Sequence, residues 1–370
     1  MSNWETLPLG NVLTFQRGFD ITKAEQSDGP YWVISSSGPK STNEQFKVEG
    51  PGVIIGRKGS LGTVFYSGAN YWPHDTTLWV KDFHGNNPKF AYYFLQTMGL
   101  ERLDAGSSNP SLNRNHIHTI PVLWPSPPTQ RRIAGILSAY DDLIENSQRR
   151  IKILEEMARR LYREWFVHYR FPGHEGCRLV QSPLGEIPEG WEVGRLDEVL
   201  VLQRGFDLPK SDRVDGSVPI YAATGVTGFH DTAKVGSPGV VTGRSGSIGE
   251  VLYVQEDFWP LNTALWVKDF PRSEPLYAYY LLSSLDLKQF NSGAAVPTLN
   301  RNDIHGIQVL IPSQDIQQHF QYVAGSLLSQ VRAHSLQINN LHRTRDLLLP
   351  RLLSGQIDVE ALPEPGLSEP

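Results

Sequence analysis

Apolar or small side chains fall at Ile133, Leu137, Tyr140, Ile144, Ser147, Ile151, Leu154, Ala158, Leu161 and Trp165, with spacings that alternate four and three. That rhythm predicts one long helix with a coiled-coil seam of about five heptads. The same rhythm returns at Phe320, Ala324, Leu327, Val331, His334, Ile338, Leu341, Arg345, Leu348 and Leu352. His334 and Arg345 interrupt this second seam, and Pro350 is expected to end its helix. Ahead of each seam the pattern is different. Short β-rich runs such as Gly52-Val53-Ile54-Ile55-Gly56 and Thr77-Leu78-Trp79-Val80 are separated by Gly, Pro, Ser and Asn, the texture of strands and turns. Residues 88–103 have a helical pattern, and Pro121, Pro125, Pro127 and Pro128 break the chain before Thr129.

The two halves are copies. Gln16-Arg17-Gly18-Phe19-Asp20 reappears 187 residues on as Gln203-Arg204-Gly205-Phe206-Asp207. At the same offset Leu78-Trp79-Val80-Lys81-Asp82-Phe83 becomes Leu265-Trp266-Val267-Lys268-Asp269-Phe270, and Leu112-Asn113-Arg114-Asn115 becomes Leu299-Asn300-Arg301-Asn302. A single offset over most of the chain means tandem duplication of a whole module rather than a short-period solenoid. The expected order is a mixed α/β module at 1–128, a long helix at 129–170, a linker at 171–182, a second module at 183–315, a second helix at 316–352 and a tail at 353–370. The fold class is α/β: two pseudo-twofold-related modules joined by two long antiparallel helices that form a coiled coil. About 35–40 residues of helix would make a rod of roughly 50–60 Å. Two independent bundles, each helix packing on its own module, is the alternative.

Composition narrows the function by exclusion. Of 370 residues 20% are charged and 39% hydrophobic, ordinary for a globular protein. Cys177 is the single cysteine, so the chain has neither a disulfide framework nor a cysteine zinc cluster, and a reducing cytoplasm is expected. No apolar run approaches a membrane span, and Met1-Ser2-Asn3-Trp4-Glu5 does not open like a signal peptide. A net charge of −5 carries no global nucleic-acid signature, but local patches set such a footprint.

Catalytic signatures are absent from the sequence. It holds no Asn/Asp-Pro-Pro-Tyr/Phe stretch, no P-loop and no Gly-x-Ser-x-Gly elbow. His116 and His118 sit two apart, but their counterparts are Asp303 and His305, so a duplicated metal site would have to change ligand type. The chain is expected to catalyse nothing by itself.

Several motifs carry a resemblance over essentially the whole chain. Gln130-Arg131-Arg132-Ile133-Ala134-Gly135-Ile136-Leu137 opens the first helix, and Leu348-Leu349-Pro350-Arg351-Leu352-Leu353-Ser354-Gly355-Gln356-Ile357 closes the second. Pro183-Leu184-Gly185-Glu186-Ile187-Pro188-Glu189-Gly190-Trp191 leads into the second module, and Gly-Arg-x-Gly-Ser-x-Gly recurs at 56–62 and 243–249. In these features the chain resembles the specificity subunit of type I restriction-modification enzymes. The resemblance implies two target-recognition domains, each reading half of a split double-stranded DNA site, with the helices as a ruler across the spacer. It implies as partners two methyltransferase subunits, for adenine N6 methylation, and restriction subunits for cleavage. No cofactor is expected in this chain; S-adenosylmethionine, ATP and Mg would belong to those partners. A non-catalytic protein scaffold that has lost DNA binding is the other reading.

The duplication sorts the candidate DNA contacts. Groups identical in both copies cannot distinguish half-sites and suit phosphate or scaffold work, whereas groups that differ suit base readout. Arg57 and Arg244 occupy the same place in the glycine-rich loop and are expected to contact DNA. Lys58 is replaced by Ser245, which suits readout. For Arg17, Arg204, Arg114 and Arg301, DNA contact and an internal ion pair are both open. Ser36 and Ser37 become Ala223 and Thr224, Asp75 becomes Asn262, and Ser107-Ser108-Asn109 becomes Ala294-Ala295-Val296. Trp72, Trp259, Trp79 and Trp266 are expected in the core rather than as stacking platforms.

Overall fold

The computed structural model describes residues 4–103 and 111–362; Ser107–Asn109 lie outside them. The chain divides into two compact units: Met1–Gln148 with Leu336–Pro370, and Arg149–Ser335.

In unit 1, β1 (Trp4–Pro8) leads through a single-turn helix α1 (Leu9–Val12) into β2 (Thr14–Arg17). There follow β3 (Tyr31–Ser35), β4 (Gly38–Asn43), β5 (Gly52–Gly56), β6 (Val64–Ser67), β7 (Tyr71–Pro73), β8 (Thr77–Asp82), α2 (Pro88–Gln96), α3 (Arg114–His118) and β9 (Pro121–Pro125). Helix α4 (Pro127–Tyr162) begins in this unit. The strands make an antiparallel sheet in the order β2-β8-β5-β6, a smaller sheet β4-β3-β7 and a ribbon β1-β9. Only β3 and β7 run parallel.

Unit 2 repeats this plan after a hairpin of β10 (Leu179–Ser182) and β11 (Gly185–Pro188). It runs through β12 (Glu192–Arg195), α5 (Leu196–Val199), β13 (Val201–Arg204), β14 (Val218–Ala222), β15 (Gly225–His230), β16 (Gly239–Gly243) and β17 (Val251–Val254). Then come β18 (Trp259–Pro260), β19 (Ala264–Asp269), α6 (Pro275–Ser284), α7 (Arg301–His305), β20 (Gln308–Ile311) and α8 (Gln314–Leu353). The sheets β13-β19-β16-β17 and β15-β14-β18 and the ribbon β12-β20 match those of unit 1 strand for strand.

The repeated Leu-Asn-Arg-Asn motif is a helix start. Asn113 accepts the Asn115 N–H at 2.9 Å, and Asn300 accepts that of Asn302 at 3.1 Å, satisfying an amide the first turn leaves unpaired. Each asparagine cap thereby sets an arginine, Arg114 or Arg301, at the first helical position.

Both long helices pack along the seam their sequences announce, its positions buried or half-buried. In unit 1, Ile133, Ala134 and Leu137 of α4 join Leu352 and Leu353 of α8 and the module core of Leu9, Phe15, Val53 and Phe90. Thr129 bonds Glu360 and Asp141 bonds Arg345, so the two segments run antiparallel. In unit 2, Ala158, Tyr162 and Trp165 pack with Phe320, Ala324 and Leu328, and Phe320 lies 6.1 Å from the Tyr162 ring and 5.9 Å from that of Trp165. There too the pairing is antiparallel. Three prolines act differently from expectation. Pro127 and Pro128 form the first turn of α4, where a missing N–H costs nothing. Pro350 lies inside the last turn of α8, which continues to Leu353. Trp72 and Trp259 are buried, each under a lysine ammonium, Lys47 or Lys234. Trp79 and Trp266 are half-buried against separate small clusters around Tyr71 and Phe258.

Candidate nucleic-acid interface

Glycine makes the site possible in both modules. Where β2 ends, Gly18 donates to the Thr77 carbonyl at 3.0 Å and Phe19 to that of Pro73 at 2.8 Å. A Cβ on Gly18 would stand 2.1 Å from the His74 carbonyl oxygen, and one on Gly205 2.2 Å from that of Leu261, so no other residue fits. The second glycine motif folds its loop onto itself: a Cβ on Gly56 would meet the Ser60 carbonyl at 2.0 Å, and on Gly243 the Ser247 carbonyl at 1.8 Å. The loop is then pinned to the next segment. Arg57 and Lys58 donate their amides to the Thr76 carbonyl at 2.8 and 3.1 Å, as Arg244 and Ser245 do to Thr263 at 2.9 and 3.1 Å.

These backbone contacts bring a small group of side chains together in each module. In the first, Arg57 donates from Nε and Nη2 to the Asp75 backbone carbonyl at 3.4 and 3.3 Å, and Arg17 Nη2 donates to the Asp75 carboxylate at 3.0 Å. In the second, Arg244 Nη1 donates to the Asn262 carbonyl at 3.2 Å. Arg204 pairs with Asp207 at 3.2 Å, and Asn262 Nδ2 donates to that same carboxylate. The loop arginine is held by the carbonyl at the matching position in both modules, while the acid nearest the strand-end arginine differs. Burial, and then the charge of Arg17, holds the Arg57 guanidinium below its ordinary pKa, with Asp75 and Asp20 opposing.

The remaining candidates distribute unevenly. Arg204, Arg244 and Arg301 line one cleft of ≈ 780 Å³ with Asn300 and Asn302. Arg301 also donates to the Leu202 carbonyl at 3.2 Å, and Arg114 is exposed at the matching place. Lys58 and Ser245 are half-buried beside the site, bridging to Ser111 and Thr298. Ser37 and Thr224 are exposed in the turns after β3 and β14, but Ser36 is buried, its N–H donated to Thr76 Oγ1 at 3.3 Å. Of the unresolved pairs, Arg17 and Arg204 form internal ion pairs while keeping about half their side-chain surface, 53% and 51%.

Sequence reasoning passed over Asp207 as the partner of Arg204, and over Thr76 and Thr263 as the carbonyls that pin each loop. The repeated Arg-Gly-Phe-Asp was the available signal for the first. His116 is exposed, and His118 Nε2 accepts the Phe15 N–H at 3.0 Å, as His305 Nε2 accepts that of Leu202 at 3.1 Å. Among the described residues no group of three or more His, Cys, Asp or Glu is arranged to hold a metal ion, and no helix is long and apolar enough to cross a membrane.

Two recognition-sized modules on paired helices, each presenting a glycine-framed arginine cluster, fit the family whose model matches residues 1–156 and 188–344. The chain belongs to the type I restriction modification DNA specificity domain family. It is 28% identical over 302 residues to the type I restriction enzyme MjaIX specificity subunit of Methanocaldococcus jannaschii, covering 74% of this chain and 70% of that protein. It is 20% identical over 406 residues to the EcoDI specificity subunit of Escherichia coli, covering 97% of this chain and 89% of that one. In fold it is similar to the crystal structure of a type I restriction-modification S subunit from M. genitalium, with a TM-score of 0.71 at 19% identity, over 95% and 96% of the two chains.

Proposed function

We propose that this chain supplies DNA sequence specificity to a type I restriction-modification complex, each module seating one half of a split double-stranded target on its arginine cluster. The observation that carries this reading is the loop arginine, Arg57 or Arg244, fixed in both modules by the same backbone carbonyl. A preorganised guanidinium loses little freedom when it meets a phosphate. Arg17, Arg204, Arg114 and Arg301 surround it with further positive charge, and each phosphate neutralised releases counterions, so binding weakens steeply with salt. Lys58, Ser245, Ser37, Thr224, Asp75 and Asn262 differ between copies and are the readout groups. Ser36 is a support for that surface, being buried.

The chain recognises and does not catalyse. Two methyltransferase subunits dock on it and bring S-adenosylmethionine for adenine N6 methylation, and restriction subunits bring ATP and Mg for cleavage. The complex works in the cytoplasm, where the DNA is. A genome-wide map of N6-methyladenine tests the reading, made with and without this chain while its methyltransferase stays expressed. A split motif that vanishes with the chain is expected. An unchanged map in a host with an otherwise active methyltransferase would overturn it.

A further inference from the structure

The two modules present one matched position where the scaffold is the same and the chemistry is not. The backbone carbonyl of residue 75 or 262 receives the loop arginine at 3.3 or 3.2 Å, and the next residue's carbonyl receives two loop amides in both copies. Gly18 or Gly205, at the end of β2 or β13, packs closely against the carbonyl of the preceding residue, 74 or 261. The Cα of this position is therefore fixed by contacts that do not involve its side chain. What projects from it is Asp75 in one module and Asn262 in the other. Both side chains are part-exposed, and both sit beside the guanidinium-bearing strand end, where Asp75 touches Arg17 and Asn262 touches Asp207.

A carboxylate only accepts hydrogen bonds; a carboxamide accepts with one atom and donates with the other. In the major groove the edge of adenine offers an acceptor next to a donor, which an amide matches in a bidentate pair. The edge of cytosine offers an amino donor, which a carboxylate accepts. Building on the DNA-reading function proposed above, we infer that position 75/262 is the half-site discriminator: Asp75 accepts from the amino group of a cytosine in the first half-site, and Asn262 reads an adenine in the second. Arg17 holds Asp75 through Oδ2 at 3.0 Å, with His74 Nδ1 2.9 Å from Oδ1, and Asp207 holds Asn262 through Nδ2. A carboxylate or carboxamide oxygen accepts more than one hydrogen bond, so acceptor capacity remains for a base.

The inference is tested with the chain expressed beside its methyltransferase in a host whose N6-methyladenine is mapped, comparing wild type, Asp75→Asn and Asn262→Asp. The copy in module 2 already carries asparagine on this scaffold, so Asp75→Asn keeps the fold. Asp75→Asn is expected to change the base accepted at one position of the first half-site, by roughly ten- to a hundredfold in preference, and to leave the second half-site untouched. Asn262→Asp is expected to do the converse. If Asn262→Asp places two acids too close for the module to fold, Asp75→Asn decides alone. An unaltered motif with Asp75→Asn overturns the inference, as does a uniform gain or loss at all sites, which would mark an effect on phosphate affinity through the freed Arg17. A wild-type chain that directs no motif would instead sink the DNA-reading function itself, so the two failures are distinguishable.

Discussion

Asp141 on α4 accepts from Arg345 Nη1 of α8 at 2.7 Å and from the Tyr93 hydroxyl at 2.6 Å. The pair is about a quarter exposed on each side, 26% and 25%. The positions 187 residues away, Leu328 and Ala158, are apolar and buried at 9% and 0%. Duplicated sites have thus been filled by an ion pair in unit 1 and by hydrocarbon in unit 2, with both members exchanged together. Removing one member alone, by Asp141→Ala, leaves Tyr93 without its acceptor and Arg345 with only Asp346, 2.9 Å away. An exposed pair contributes about 0–1 kcal/mol, whereas breaking a buried one costs about 3–5 kcal/mol. A quarter-exposed pair sits between them, and a loss of about 2 kcal/mol is expected. For a unit of this size that lowers Tm by roughly 4–8 °C. Arg345→Ala should cost about the same, since it strands the carboxylate. The double variant Asp141→Leu with Arg345→Ala, which writes the unit 2 solution into unit 1, should return to within about 1 kcal/mol of wild type. Scanning calorimetry on wild type and these variants measures the losses, with Asp141→Leu as the single variant that closes the cycle. Single variants that lose under about 0.5 kcal/mol, or a double variant that loses the sum of the two, would refute the reasoning.

Three further outcomes are expected. Burial lowers the pKa of His118 and His305, with Arg114 acting the same way on His118, while on His305 the opposing pull of Asp197 is outweighed. Each accepts a backbone N–H in its neutral form, so the folded state resists protonation: the stabilisation is complete above the ordinary histidine pKa of about 6.5 and lost as pH falls below it. Tm should therefore drop from pH 7 to pH 5, and by less in His118→Gln/His305→Gln; equal drops would count against this role. Arg57→Ala and Arg244→Ala should each weaken binding of a target duplex and lower the salt slope by about 1, read by fluorescence anisotropy at several salt concentrations; an unchanged slope would remove the phosphate contact. Gly18→Ala should cost about 3 kcal/mol by forcing apart the strand end and the His74 carbonyl, and wild-type melting would show that the backbone yields there.

Much of the architecture was legible because it is periodic. The 4-3 spacing picked out α4 and α8, and the constant offset announced two equal modules. The prolines were harder to read, because proline stops a helix only from its interior. Pro127 and Pro128 need no N–H at a first turn, and Pro350 falls where only a few residues of helix remain. Arg345 stood out as a polar break in the seam, but its answer, Asp141, lies 204 residues away and beside the seam position chosen from spacing. The glycine-rich loop could be recognised, yet what it is pinned to, the Thr76 carbonyl, is a neighbour made by sheet pairing and leaves no mark in the local sequence. Ser36 looked like readout from its exchange for Ala223, and its burial is decided by the turn that follows β3.

Unit 1 is built from segments synthesised far apart in time. Leu352, Leu353 and Val359, at 1%, 5% and 2% exposure, are core residues of the module that also contains Leu9 and Phe15. On a ribosome moving at about 5–20 residues per second, Leu352 follows Gln148 by roughly 10–40 s. Through that interval the first module has its strands and its stretch of α4, but an open apolar face where α8 will lie. The wait is long compared with hairpin and helix formation. The nascent chain therefore passes through a stage in which its earliest module is folded locally and unfinished, dependent on chaperones or on its own later residues. A ribosome that stalls within α8 would leave that face uncovered.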